Sequence, residues 1–331
     1  MTKMKTIKIW FLDFWKFFKP EDNLFVRVLS EKYTIVFDKE NPDYLFYTSY
    51  SYNHFKYKNS VKIYFTAENI IPDMNFADYG IGFHFIEFGD RYLRFPLYLL
   101  YDEAWNKIKE QKTVLKDLAN RKFCNFIYSN SFNANPIREL FFHELSKYKK
   151  VDSAGRYLNN MGGAYLPNKL AFIKDYKFSI AIENSSVEGY TTEKVAEAMA
   201  ADTIPIYWGN KRISADFNTN SMLIINNESD IQTLIDQIVY LDTHDDAYLT
   251  MLSKPWLNNQ NIAVEWEEKI KTFLYHIIDQ PKELAFRNQE YGFRKRLYKE
   301  EVRVAPLKNN YYWEKLCGLK ERITKTSNHI K

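Results

Sequence analysis

The chain has 331 residues, 46% hydrophobic and 27% charged, with a formal net charge of +4. That length exceeds what one core usually fills, so two domains are expected, and the near-neutral balance offers no electrostatic case for a nucleic-acid partner. Two cysteines, Cys124 and Cys317, exclude a disulfide framework and a cysteine-based zinc site and fit a reducing compartment. The N-terminal stretch MTKMKTIKIWFLDFWKFF is interrupted by Asp13 and Lys16 and is followed by no small-residue cleavage site. It reads as a strand rather than a signal peptide. No run reaches the ~18 consecutive apolar residues of a spanning helix, so a cytoplasmic location is expected. The aromatic share is 17%; such rings suit sugar contacts, and equally a core built from Phe and Tyr.

In chain order, KTIKIWFLD, YTIVFD, DYLFYTS and VKIYFTAE are short β-branched and aromatic runs that predict strands. A helical segment around 98–120 precedes another strand, RKFCNFIYS. NPIRELFFHELSKYKK then predicts a helix, with Asn135 as cap, Pro136 at the first helical position, and an apolar stripe of Ile137, Leu140, Phe141, Leu145 and Tyr148. This places a first α/β domain over 1–150. In the second half, a short helix near 168–175 precedes the strand YKFSIAIE; helix 191–201, the strands DTIPIYW and SMLIINN, and the helix SDIQTLIDQIVYLDTH follow. That is a second α/β domain over 151–280. Strands alternating with helices imply mostly parallel sheets, whose ligands gather at the carboxyl ends of strands. The remainder, 281–331, is basic and aromatic. Two readings stay open for it: a peripheral contact with a membrane surface, or a terminal helix packed on the domains.

No G-x-G-x-x-G, Walker A, H-E-x-x-H or Asp-x-Asp occurs, so no dedicated metal site is expected. His84 is a candidate base, but a histidine packed in core or loop accounts for it as well. The stretch ENSSVEGYTTEKVAEAMAADTIPIYWGN, residues 183–210, is more informative. It puts Lys194 in the first turn of a helix, where the macrodipole disfavours a cation. A phosphate on the free N–H groups of that helix start would supply the missing negative charge, and Glu193 could bind sugar hydroxyls.

That stretch resembles the signature of the α1,3/4-fucosyltransferases, glycosyltransferase family 10: Glu-Asn-Ser, then Tyr-x-Thr-Glu-Lys, then a strand ending in Pro-Ile-x-x-Gly. VDSAGRYLNN at 151–160 is similar to the family's Gly-Arg motif, and YFTAEN at 64–69, with DYGIGF and DRYLRFPLY, to its bacterial N-domain segment. The resemblance implies a GT-B fold, two Rossmann-like domains facing across a cleft. It implies inverting transfer of fucose from GDP-fucose to the GlcNAc of a galactosyl-N-acetylglucosamine acceptor, giving a Lewis X-like product. No cofactor is required, with Mn2+ at most stimulatory. It further implies Glu68 as general base, Arg156 and Lys194 on the diphosphate, Glu193 on the ribose, and Asn184 and Tyr190 lining diphosphate and fucose. ENIIPD places its proline one position later than the family spelling, in a loop that meets the acceptor. Fucosylation at O4 of GlcNAc or on the glucose of lactose, or glycan binding without turnover, are the alternative readings.

Overall fold

The computed structural model describes residues 4–16, 18–110, 116–163, 166–259, 261–287 and 292–308. The chain forms two units, one comprising residues 1–82, 86–94 and 267–331, the other 83–85 and 95–266.

Unit 1 holds strands β1 (Lys5–Leu12), β2 (Tyr33–Phe37), β3 (Tyr44–Tyr47), β4 (Val61–Phe65), β5 (Tyr79–Gly82) and β6 (Tyr92–Arg94), with helix α1 (Leu24–Ser30) between β1 and β2. All neighbours are parallel, in the order β2-β1-β3-β4-β5-β6. Its core is aliphatic and aromatic together: Ile9, Leu45, Phe46, Ile63 and Phe65 are fully enclosed, and Phe11 stacks on Phe46 at 4.9 Å. Much of the aromatic content is therefore core.

Unit 2 begins with α2 (Asp102–Lys109) and contains β7 (Lys122–Phe126), α3 (Ile137–Tyr148), β8 (Val151–Ser153), α4 (Lys169–Ile173), β9 (Tyr176–Ile182), α5 (Glu193–Ala200), β10 (Ile204–Trp208), β11 (Leu223–Ile224), α6 (Ile231–Thr243) and α7 (Asp245–Leu252). Its sheet is also parallel, ordered β11-β10-β9-β7-β8. In each sheet the first strand to appear is flanked by the second and the third, so the two share one winding although the sequence shows no repeat. The order reverses between β1 and β3 in unit 1 and between β7 and β9 in unit 2. Crevices for ligands open at such switch points.

The expected division at residue 150 is corrected by pairing. β7, expected in the first domain, bonds to β9, and residues 95–150 belong to unit 2. The end of the chain also returns. Helix α8 (Ile262–Asp279) is followed by α9 (Lys282–Ala285) and α10 (Gly292–Lys308), and residues from 267 onward belong to unit 1. The backbone N–H of Arg287 donates to Asp78 at 2.8 Å, and its side chain reaches Asp90 and Tyr79. Tyr298 packs its ring on Phe55 at 5.4 Å. The described part of 281–331 is thus packed structure of unit 1; residues 309–331 lie outside the described residues.

Candidate functional site

In unit 2 the turn from β9 to α5 is organised by a buried acid. All seven residues of β9 are buried, and Glu183, the next residue, is fully enclosed. Its carboxylate accepts the Thr192 backbone N–H at 2.7 Å and the Thr192 hydroxyl at 2.7 Å. Thr192 is the N-cap residue of α5, yet its own side chain caps nothing. Glu183 satisfies the helix start from across the turn. Gly189, at φ +93, closes the loop where a Cβ would stand 2.2 Å from the Phe83 carbonyl oxygen. Only glycine fits there.

The same acid resolves the anomaly at Lys194. The Lys194 ammonium lies 3.1 Å from Glu183, 2.8 Å from the Thr192 hydroxyl and 3.4 Å from Glu193. The negative charge that a ligand was expected to supply is already provided by two carboxylates of the chain. Burial pulls the Lys194 pKa down, but Glu183 and Glu193 more than offset it and hold the amine protonated. For Glu193 burial works upward, and Lys194 and Lys169 outweigh it, so its carboxyl sits well below the usual range. Lys169 from α4 also pairs with Glu197 on α5, tying the two helices together.

Around this turn, the loops after β7, β8 and β9 are laced at the switch point. Tyr128, just beyond β7, donates to the carbonyls of Ile180 (2.9 Å) and Ile182 (3.1 Å) on β9 and accepts the Ile182 N–H at 2.7 Å. From the loop after β8, Tyr157 donates its N–H to the Tyr128 carbonyl at 3.0 Å. A Cβ on Gly155 would stand 2.1 Å from that same oxygen, so the glycine permits the close approach. Arg138, in the first turn of α3, donates to the Ile182 carbonyl at 3.0 Å and the Asn184 side-chain oxygen at 2.6 Å, with its guanidinium 4.2 Å from the Tyr128 ring centre.

The expected donor residues therefore fall into different environments. Glu193 and Lys194 are paired at the start of α5. Asn184 is held by Arg138. Arg156, on the loop after β8, is exposed and forms no hydrogen bond or ion pair among the described residues. Tyr190 is 2% exposed with its ring edge-on to Phe83 at 5.4 Å, so it shapes the loop from within. His84, the alternative base, is 6% exposed, and burial lowers its pKa. It is a packed histidine.

Glu68 belongs to unit 1. It was expected to end the strand VKIYFTAE; β4 stops at Phe65, and Glu68 sits in a bend beyond it, exposed. Its N–H donates to the Thr66 hydroxyl at 3.1 Å, and the Tyr50 hydroxyl donates to its carboxylate at 3.2 Å. At the neighbouring switch point Asp13, with φ +62, accepts from Ser51 and from Asn53 at 3.2 Å, and its carbonyl accepts from Thr48 at 2.5 Å. Sequence reading missed Tyr128, Arg138, Tyr50 and this use of Asp13. Arg138 carried a signal: like Lys194, it is a cation in the first turn of a helix. Among the described residues no group of three or more His, Cys, Asp or Glu is placed to hold a metal ion, and no helix is long and apolar enough to cross a membrane.

Two parallel Rossmann-like sheets with a helix-start site after the third strand of the second define a GT-B glycosyltransferase architecture. The chain belongs to glycosyltransferase family 10, the fucosyltransferases: residues 118–300 match that family's C-terminal region, and residues 9–101 match the alpha-(1,3)-fucosyltransferase FucT N-terminal domain. The alpha-(1,3)-fucosyltransferase FucT of Helicobacter pylori is 32% identical over 297 residues, 78% of this chain and 60% of the relative. The chain thus spans about 60% of that relative's length. A crystal structure of an alpha1,3-fucosyltransferase with GDP superposes with a TM-score of 0.69 at 30% identity, over 82% of this chain and 91% of the other. One with GDP-fucose gives 0.66 at 28% identity, over 82% and 92%.

Proposed function

We propose that the chain is an inverting α1,3-fucosyltransferase that moves fucose from GDP-fucose to the GlcNAc of an N-acetyllactosamine-type acceptor, giving a Lewis X-like product. The observation that carries the donor half is the start of α5, where Glu193 and Lys194 are presented by a turn locked onto the buried Glu183. The similarity to an alpha1,3-fucosyltransferase solved with GDP-fucose supports the same donor.

In this reading Glu193 accepts from the ribose hydroxyls. Arg156 and Lys194 take the charge that develops on the departing diphosphate, Arg156 with a guanidinium not engaged by any of the described residues. Asn184 adds a polar contact, and Tyr190 supports the loop. Glu68 removes the proton from the acceptor hydroxyl; among the described residues its exposed carboxylate has one side-chain donor, Tyr50, and retains free lone pairs. Fixed cations perform the work that a metal performs elsewhere, so turnover is proposed to be metal-independent, with Mn2+ at most stimulatory. A cytoplasmic enzyme is proposed, with peripheral membrane contact through the exposed side of α10, where Lys295, Arg296, Lys299 and Arg303 lie.

The test is turnover. GDP release from GDP-fucose should rise on adding N-acetyllactosamine and persist in excess EDTA, and NMR of the product should show an α1,3 linkage to GlcNAc. An α1,4 linkage would reassign the acceptor position. Absence of acceptor-dependent release in a protein that binds GDP would leave the glycan-binding alternative.

A further inference from the structure

We infer that Arg138 is a positioning residue of the donor site: it fixes the side-chain amide of Asn184 so that its two N–H groups face an anionic group, a phosphate of a nucleoside diphosphate. The inference rests on the donor-site reading above and deepens it.

Arg138 is placed where a stabilising role is hard to find. It is 3% exposed, on the first turn of α3, where the helix dipole opposes a cation. It forms no ion pair among the described residues, and its Nε has no acceptor. Burying a guanidinium without a carboxylate carries a desolvation cost that its hydrogen bonds must offset. Its bonds all converge on one place, the exit of β9 at the switch point of unit 2: the Ile182 carbonyl, the Asn184 Oδ1 and the face of Tyr128.

The consequence for Asn184 follows from donor and acceptor inventory. A guanidinium offers only donors, so the atom of Asn184 that meets it must be the carbonyl oxygen. The amide cannot flip. Its Nδ2, with two N–H groups, takes no acceptor among the described residues, while the Asn184 backbone carbonyl is already used by the Asn135 N–H at 2.8 Å. The charge-assisted bond of 2.6 Å also polarises the amide and strengthens those N–H groups as donors. A side chain locked in this way leaves both of its donors uncommitted among the described residues, which suits a phosphate oxygen.

GDP titration by calorimetry, with melting temperature measured on each variant, tests this. Arg138→Met and Asn184→Ala are each expected to weaken GDP binding tenfold or more. The double variant should be no weaker than the worse single within twofold, because both remove one arrangement. Arg138→Met should melt at the wild-type temperature or above. Asn184→Asp keeps an acceptor for Arg138 but turns an anionic oxygen outward; it should fold at least as stably and lose GDP affinity more than Asn184→Ala. GDP affinity within twofold of wild type in Asn184→Asp, or losses that multiply in the double variant, would overturn the inference and leave the donor site standing. Wild-type protein that fails to bind GDP would remove the donor-site reading, and this inference with it. If Arg138→Met does not fold, Arg138→Lys takes its place in the cycle, and Asn184→Asp decides independently.

Discussion

Glu68 and Glu183 both follow a parallel strand, β4 in unit 1 and β9 in unit 2, and their surroundings are opposite. Glu183 is fully buried and receives Thr192 twice and Lys194 once. Glu68 is exposed and receives one side-chain donor among the described residues, Tyr50. A carboxylate whose lone pairs are filled by fixed donors is architecture. One with free lone pairs can take a proton from a substrate. The strand-end position common to both says where polar residues collect, and the donors around each say what it can do.

The comparison breaks first at Glu68. Glu68→Gln keeps the hydrogen bond to Tyr50 but cannot accept a proton, so kcat should fall ~10²–10⁴-fold, the usual share of a positioned general base. GDP affinity by calorimetry should stay unchanged. Turnover within tenfold of wild type would move the base elsewhere.

Lys194→Met tests the opposite environment. It strands the buried Glu183 charge, and removal of one partner of a buried pair costs ~3–5 kcal/mol. Urea denaturation should show that loss, and a Lys194→Met/Glu183→Gln double variant should regain much of it. A Lys194→Met protein as stable as wild type would mean that Glu183 does not depend on its cation.

Arg156→Ala should do the reverse, because Arg156 is exposed and bonds to nothing in the described fold. The melting temperature should not move, while kcat/KM for GDP-fucose drops ~10²–10³-fold, the scale of one lost electrostatic contact to developing charge. Unchanged donor kinetics would exclude Arg156 from the diphosphate.

The smallest effect concerns acid. The Glu193 pKa is depressed, with burial opposing and Lys194 and Lys169 prevailing. A depressed carboxyl stabilises the fold above its unfolded pKa, and that contribution is lost as pH falls through the folded value. Wild type and Glu193→Gln should therefore differ in stability at pH 6 and converge as pH drops from about 5 towards about 2. A constant difference across that range would contradict the pairing.

Local pattern was sufficient for much of this molecule. Strands β1 to β4, β7, β9 and β10 are short runs of β-branched and aromatic residues that read directly as strand, and the alternation with helices implies parallel sheets. The stretch from Glu183 to Asn210 announced a site because its residue types conflict with an ordinary helix start. Strands β6 and β8, of three residues each, are too short for any period to show. What the pattern could not contain was pairing. The unit boundary near residue 95 follows from β7 bonding to β9 some fifty residues away, and the return of α9 and α10 to unit 1 rests on Arg287 and Tyr298 meeting side chains more than two hundred residues earlier. The α3 stripe shows the same limit on a small scale. Leu140 and Tyr148, expected inward, are each 38% exposed, whereas Arg138 and Phe142 are buried. Apolar periodicity chooses an inward face by hydrophobicity alone. A buried arginine is chosen by the carbonyl of Ile182 and the amide of Asn184 that wait for it, and those groups reach it only after the sheet has formed.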